Sequence, residues 1–451
     1  MAPISPVSLA APSETVPAIC VILIFLIPFA GAGLSLINTG LGRSRSAAQT
    51  MLSSLCAFSV AALVYFAWGF AWQGFPGGPA HVLTFAGKQW SWAGASPVLF
   101  HGLEFDGSLA SLTALFGIFS VGLAALIPLG AGADRWRLGA ICASTVLLAG
   151  VTFPLFAHWA WGGGWLAQLG ENCGLGPGFL DAGGSGTVQA VGGLTALSIA
   201  WVLGPRRGKY LPDGLPIAIP GHNAVLVMLG CVLALVGWLG LNSAGAILFA
   251  AALPARVVLI AVNTTLSAAA AALTAAAITH TRFNKPDASL TANGWIGGLA
   301  ASSAACAFVS PLSAVVIGLV SGTLVTFAVE WFELRLAVDD PGGSISAHAM
   351  GGIWGLLALG IFAEVHAPTA IAGAPGVASA SPNWLAQLVG VATLIGFVFP
   401  LTYGLNWLLN RFYPQRVDAE GERQGMDLFE LGAGAYPEFI VHSDEFTQRK
   451  I

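Results

Sequence analysis

Two segments of the sequence are copies of one motif and carry polar side chains at the same place. Residues 181–193 read DAGGSGTVQAVGG and residues 340–352 read DPGGSISAHAMGG; they align without gaps and are identical at seven of 13 positions. Gln189 in the first copy aligns with His348 in the second, and each lies eight residues after the aspartate that begins its copy. Chance similarity between two glycine-rich helices is the alternative to a true repeat.

Gln189 and His348 are suited to hydrogen bonding with a small polar solute. A neutral imidazole and a carboxamide both donate and accept hydrogen bonds, whereas only the imidazole titrates. Burial in an apolar bundle favours the neutral imidazole. A histidine at mid-membrane is by default a functional candidate, and a polar partner at the equivalent position strengthens that interpretation over a core histidine with only a structural role.

Asp181 begins the first copy and has two candidate roles. Its carboxylate could cap the N-terminus of the helix that follows, as aspartate commonly does. A fixed negative charge at the mouth of a pathway would also attract an arriving cation. The two roles are compatible.

The elements that position these residues are predicted to be membrane-spanning helices. The chain has 451 residues, of which 56% are hydrophobic and 8% are charged, against about 25% charged residues in soluble domains. A span needs about 20 apolar residues. Eleven stretches qualify, near residues 17–38, 49–73, 107–131, 138–162, 180–204, 219–242, 252–280, 289–308, 311–335, 344–364 and 383–409.

Basic residues predict the orientation of the spans, because cytoplasmic loops are enriched in lysine and arginine. Fifteen of the 17 lie in loops between odd and even spans or in the C-terminal tail; Lys88 and Arg256 are the exceptions. The N-terminus is therefore predicted outside and the C-terminus inside. The motif copies then run in opposite directions, as in the inverted repeats of many transporters. Eight residues of helix rise about 12 Å, which places Gln189 and His348 near mid-membrane.

The sequence thus predicts an all-α integral membrane protein with 11 transmembrane helices and an inverted five-helix repeat. Residues 1–16 form an extracytoplasmic N-terminus, residues 17–409 the membrane domain, and residues 410–451 a charged cytoplasmic tail. The tail mixes apolar and charged residues, so it is either disordered or packed on the cytoplasmic loops. Five of the six cysteines fall inside apolar spans, which implies no disulfide framework.

Several further motifs resemble the ammonium transporter family (Amt/Mep/Rh) across nearly the whole chain. The segments AHWAWGGGWL at 157–166 and LDAGGSGTVQ at 180–189 resemble its outer mouth and fifth helix. The segment GAGADRWRL at 130–138 resembles the family's connection from the third to the fourth helix, and PGHN at 220–223 with GWLGLNSAG at 237–245 resembles its sixth helix. The segment VDDPGGSISAHAMGGIWG at 338–355 resembles its tenth helix, and GMDLFELGAGAY at 425–436 resembles its tail. Their order and spacing also match.

The resemblance implies a homotrimer in the lipid bilayer of the plasma or inner membrane, with one pore for ammonium or ammonia in each subunit. Trp161 corresponds to the outer aromatic residue that contacts ammonium by cation–π attraction, or serves only as an interfacial anchor. Asp181 corresponds to the acidic residue beneath that site, and His348 to the second of two paired pore histidines. Gln189 replaces the first of these histidines.

The phenylalanine gate of the family is expected to be altered. Its sixth-helix position is assigned to Met228 and its third-helix position to Ser120, with Phe116 and Phe119 nearby as alternative lining residues of the mouth. Met228 is flexible enough to fill the gap. A weaker gate would relax selectivity.

These features predict an ammonium channel or transporter that recruits NH4+ and passes NH3, with or without a proton. The alternative is a poorly conducting ammonium sensor that signals through its tail to a PII-type regulatory protein. A channel for another small solute, such as a neutral gas or methylamine, is a third possibility. The sequence contains no nucleotide-binding loop, metal-ligand cluster or basic cluster suited to nucleic acid, so neither an enzyme nor a cofactor is predicted.

Overall fold

The computed structural model describes residues 15–364 and 382–436 and is a bundle of long helices. Ten helices in these ranges are long and apolar enough to cross a membrane. An additional helix, Ala288–Ala305, has 18 residues and is largely buried between its neighbours. The long helices are α1 (Thr15–Leu41), α2 (Ser44–Gln73), α3 (Leu109–Gly132), α4 (Leu138–Ala160), α5 (Ser185–Leu203), α6 (Ala224–Phe249), α7 (Pro254–Phe283), α8 (Ala288–Ala305), α9 (Pro311–Leu336), α10 (Ile345–Phe362) and α11 (Trp384–Phe412).

The predicted spans agree in order with these helices, and the largest error is at α6. The sequence placed its end near residue 242, whereas the helix continues to Phe249. The count of eleven spans and the side on which each terminus lies stay predictions. Of the predicted N-terminal segment, residues 1–14 lie outside the described residues, as do residues 437–451 of the tail.

A β-hairpin between α2 and α3 corrects the prediction of an all-α chain. Strand β1 (Ala80–Phe85) pairs antiparallel with β2 (Lys88–Gly94). The turn between them holds Ala86 and Gly87, both with positive φ, as tight hairpin turns require. The strands are short and were overlooked beside the stronger helical signals. We call this end of the bundle the hairpin face, and the end where residues 413–436 pack the tail face.

Small residues allow α1 and α6 to pack closely in opposite directions. A Cβ at Gly33 or Gly237 would lie less than 3 Å from backbone atoms of the other helix. Gly237, late in α6, meets Ala30, whereas Gly40, late in α1, meets Asn223 just before α6. Such close approach favours helix association in lipid, where the hydrophobic effect provides no drive between helices.

Short helices and irregular segments complete the two faces. On the hairpin face, short helices cover Val98–Phe100 and Leu169–Cys173. On the tail face, the chain after α11 forms Ala419–Gln424 and Asp427–Leu431. Of the two alternatives for the tail, the packed arrangement is the one the structure has as far as Tyr436.

Candidate functional site

The two motif copies begin α5 and α10 with the same local geometry. Asp181 Oδ2 accepts hydrogen bonds from the N–H groups of Gly186 and Thr187 at 3.0 and 2.8 Å. Asp340 Oδ2 accepts from the N–H of Ile345 at 2.7 Å, the residue that aligns with Gly186. Both carboxylates satisfy donors that a helix N-terminus leaves without intrahelical partners.

Both helices then start with six residues of π-helix, Ser185–Ala190 and Ile345–Met350. Segments of this kind are rare and frequently occur at functional sites. Gln189 and His348 lie inside them. The local structure of the repeat is therefore reproduced in both copies, as the sequence comparison predicts.

Glycines at the end of each motif bring α5 and α10 into contact. A Cβ at Gly193 would clash with the backbone of Ala349, and one at Gly352 would clash with the carbonyl oxygen of Ser185. Ser185, early in α5, also contacts Gly355, later in α10, so the two helices run antiparallel. The glycines of one copy thus accommodate the backbone of the other.

The close approach places Gln189 and His348 side by side. His348 Nδ1 lies 2.8 Å from Gln189 Oε1, and the side chains are 3% and 0% exposed. Since the amide oxygen accepts, the Nδ1–H donates and His348 Nε2 remains an acceptor. Gln189 Nε2 is buried without a partner among the described residues. The Trp238 ring lies 6.4 Å from that of His348.

Three aromatic rings form a cluster toward the hairpin face from this pair. Phe116 of α3 meets Trp161 edge-on at a centroid distance of 5.6 Å, and Phe249 of α6 lies 4.6 Å from Trp161 with the two rings nearly parallel. Trp161 Nε1 donates to the backbone oxygen of Asp181 at 2.6 Å. The aromatic cluster is therefore attached to the residue that caps α5.

The assignment of Met228 to this cluster is wrong. Met228 lies in the second turn of α6, near the tail face, and is 37% exposed on the surface of the bundle. The sixth-helix side chain that contacts Phe116 is Phe249, with ring centroids 5.3 Å apart. Phe249 was missed because α6 was expected to end seven residues earlier. The apolar run GAILF that continues to it was the available signal.

Of the three candidates in α3, only Phe116 belongs to the cluster. Phe119 points toward α2, where its ring lies 6.2 Å from that of Phe58. Ser120 is buried, and its hydroxyl donates to the carbonyl oxygen of Gly117 in the preceding turn. The placement expected for Phe119 is corrected, and Ser120 takes no part in the aromatic contacts.

Buried charges hold the loops together at the tail face. Asp339 accepts from Arg206 Nε at 2.9 Å and Nη2 at 3.0 Å, while Arg206 Nη1 donates to Asp134 at 2.9 Å. Arg135 Nη1 lies 3.9 Å from Asp339. Burial opposes ionisation of Asp339, but the hydrogen bonds from Arg206 and the two arginine charges lower its pKa to about 2. These residues lie in different loops, so no local sequence pattern predicts the cluster.

The geometry therefore offers hydrogen-bonding groups inside an apolar bundle. Within residues 15–364 and 382–436, no group of three or more His, Cys, Asp or Glu side chains could hold a metal ion.

The chain is similar to known ammonium transporters in sequence and in fold. The chain is 38% identical to the ammonium transporter Amt2 of Archaeoglobus fulgidus, over 93% of this chain and 88% of that protein. It is 30% identical to the ammonium transporter of Bacillus subtilis strain 168, over 92% and 96%. A solved structure described as a sensor Amt protein aligns with a TM-score of 0.79 at 27% identity, covering 93% of this chain and all of that one.

The fold is also that of Mep2 from Candida albicans, with a TM-score of 0.76 at 23% identity over 95% of this chain and 91% of that one. The model of the Ammonium Transporter Family matches residues 18–436. The resemblance inferred from the motifs is thereby confirmed, and the chain is a multi-pass membrane protein that belongs to the Ammonium Transporter Family.

Proposed function

We propose that this protein transports ammonium by recruiting NH4+ at Trp161 and Asp181 and passing NH3 between α5 and α10. The observation that carries the proposal is the buried Gln189–His348 pair between two inverted helices, on the tail side of an aromatic cluster. In this proposal the hairpin face is outside, the tail face is cytoplasmic, and the functional unit is a homotrimer in the cell membrane.

The pair favours a neutral solute over an ion. Moving an ammonium-sized ion into a low-dielectric interior costs several kcal/mol even after relaxation, and neither Gln189 nor His348 supplies a compensating negative charge. Ammonia is small, and it both donates and accepts hydrogen bonds. His348 Nε2 can accept from it and the unpartnered Gln189 amide can donate to it. NH4+ gives its proton to water on the hairpin side, so that NH3 enters the bundle without charge.

The carboxamide of Gln189 does not support proton relay between Gln189 and His348. A relay through two neighbouring side chains requires that both take up and release a proton, and a carboxamide does not titrate. Net passage of NH3 without charge is therefore the form of transport that the Gln189–His348 pair supports. Replacing Gln189 with histidine would restore two titratable rings.

The experiment compares the native chain with Gln189→His in proteoliposomes, measuring NH3 flux and ammonium-evoked current. We expect NH3 flux without current from the native chain, and current in addition from the variant. Asn406→His, at a buried position in the tail half of α11, controls for a new imidazole elsewhere in the bundle. An electrical current in the native chain would refute the neutral-passage mechanism, and native flux equal to that of empty liposomes would refute transport itself.

The recruitment site is tested separately by ammonium binding. Trp161→Leu removes the aromatic face and Asp181→Ala removes the carboxylate, so both should weaken binding. Unchanged binding in either variant would remove that residue from the site.

A sensor is the second candidate, favoured by the way the tail is attached to the helices. Asp427 accepts from the N–H groups of Ala48 and Gln49 at the start of α2, and Glu430 accepts from the N–H of Leu138 at the start of α4. Movement of these helices would therefore alter the tail, which could report it to a PII-type cytoplasmic partner. Ammonium binding without flux in the native chain, with flux gained in Gln189→His, is the result that this candidate predicts.

A further inference from the structure

The ring of Phe249 covers the aromatic face that the proposed recruitment site needs. The two ring planes are 8° from parallel with centroids 4.6 Å apart. Phe116 closes the side of this stack, meeting Trp161 and Phe249 edge-on at 5.6 and 5.3 Å. Trp161 is 2% exposed, whereas Phe249 above it is only partly buried.

A cation cannot bind between the two rings in this arrangement. Cation–π attraction requires the ion over the ring face, within about 6 Å of its centroid. Carbon atoms in contact are already about 3.5–4.0 Å apart, so rings stacked at 4.6 Å leave no layer for an ion. With Trp161 also withdrawn from solvent, ammonium reaches this ring only after one of its neighbours moves.

Phe249 is the ring of the three with the least packing around it, because it is only partly buried and ends its helix. It is the last residue of α6, and the following loop contains Ala251 in the left-handed region with φ of 49°, a conformation that strains residues other than glycine. Phe116, by contrast, lies inside α3 and is fully buried. Trp161 is held by its hydrogen bond to the backbone of Asp181.

We infer that Phe249 is an access gate over Trp161, and that the structure shows its closed position. Ammonium and the Phe249 ring compete for the same face of Trp161, so binding requires the ring to swing away from the stack. This inference rests on the proposed recruitment of ammonium at Trp161. A gate that is closed for part of the time makes the apparent affinity for ammonium weaker than the intrinsic affinity, in proportion to the fraction of time for which it is open.

The strength of the stack sets the size of the effect. An aromatic pair contributes enough beyond its buried area to change an equilibrium by about two- to twelve-fold. Phe249→Leu keeps an apolar side chain but removes the ring, so its half-saturating ammonium concentration should fall by about that factor. Phe249→Trp keeps a ring that can stack, so its half-saturating concentration should equal or exceed the native value.

The experiment measures this concentration in two ways for each variant: by ammonium-dependent thermal stabilisation in detergent and by NH3 flux in proteoliposomes. Phe362→Leu is the matched control, because Phe362 is also a partly buried phenylalanine that ends a long helix, α10. It should leave the half-saturating concentration at the native value.

The possible failures of gate and transport are distinguishable. If the native chain binds and transports ammonium but Phe249→Leu matches Phe362→Leu, the gate is refuted and the proposed function stands. A lower half-saturating concentration in Phe249→Trp also refutes the gate, and it does so even if the leucine variant does not fold. Absence of ammonium binding from the native chain and every variant refutes the recruitment site and the gate together.

Discussion

Asp339→Asn should destabilise the tail face by an amount that depends on pH. The Asp339 carboxylate is 1% exposed and accepts from the N–H of Arg206 at 2.8 Å as well as from its guanidinium. Asparagine has nearly the same shape but no charge, and its NH2 group would face donors. The substitution therefore leaves the buried Arg206 with Asp134 as its ion-pair partner and removes the anion 3.9 Å from Arg135.

The magnitude follows from the pKa of Asp339, which is lowered from 3.8 to about 2. At 1.36 kcal/mol for each pKa unit, the charged form stabilises the folded protein by about 2 kcal/mol. Removing one partner of a buried ion pair typically costs 3–5 kcal/mol, because the other charge stays buried. We therefore expect a loss of about 2–5 kcal/mol at neutral pH.

The sign of the pH dependence follows from the lowered pKa. Stabilisation by Asp339 is complete above the unfolded-state pKa near 3.8 and is lost as the pH falls through about 2. The native chain should thus approach the stability of Asp339→Asn between about pH 4 and pH 2, while the two differ by a constant amount above about pH 5.

The assay is thermal unfolding in detergent, followed by tryptophan fluorescence across this pH range. Asp213→Asn is the control, because Asp213 lies exposed in the same α5–α6 loop that carries Arg206. The reasoning is refuted if Asp339→Asn unfolds at the same temperature as the control at pH 7. It is also refuted if the difference between the native chain and Asp339→Asn is as large near pH 2 as at pH 7.

Substitutions at three further residues test the helix contacts. Gly352→Ala should destabilise the protein by about 1–3 kcal/mol through overpacking against Ser185. It should also reduce NH3 flux, because it separates Gln189 from His348. A variant with the native melting temperature and the native flux would contradict close packing at this glycine. Asp181→Asn should retain the cap and melt close to the native chain, whereas Asp181→Ala should lose about 1 kcal/mol; if ammonium binding is lost in both, charge rather than capping recruits the ion. Asp427→Ala should free the tail from α2, because it removes the acceptor of the hydrogen bonds from the N–H groups of Ala48 and Gln49. Residues after 413 should then be proteolysed faster than in the native chain, and equal proteolysis rates would show that these two bonds do not hold the tail.

The sequence predicted the helices well because lipid imposes a simple requirement. A spanning segment must satisfy its own backbone and present apolar side chains over about 20 residues, so the pattern is local and readable. Helix ends are less sharply defined by this pattern, because apolar residues continue into the adjoining loops. The end of α6 is predicted near residue 242, which leaves Phe249 seven residues outside the helix.

The hairpin shows a different limit. Residues 80–94 form two short strands whose stability depends on docking to α4, through the hydrogen bond from Trp159 Nε1 to the carbonyl oxygen of Trp92 and the contact of His158 with Ser91. An isolated two-stranded hairpin is only marginally stable in water. The signal for these strands therefore lies in residues distant in sequence, and local pattern alone did not reveal them.

The sequence by itself determined the membrane class, the family and the correspondence of Gln189 with His348 in the two motif copies, because each rests on composition or on residue types at fixed spacing within a motif. Only the tertiary structure decided which side chains from different helices share a site. In the structure His348 Nδ1 lies 2.8 Å from Gln189 Oε1, and Phe249 stacks on the face of Trp161. Met228 and Phe119 lie outside this aromatic cluster. The physical reason is that the rotation and depth of each helix are set by close packing at small residues, which no single helix records.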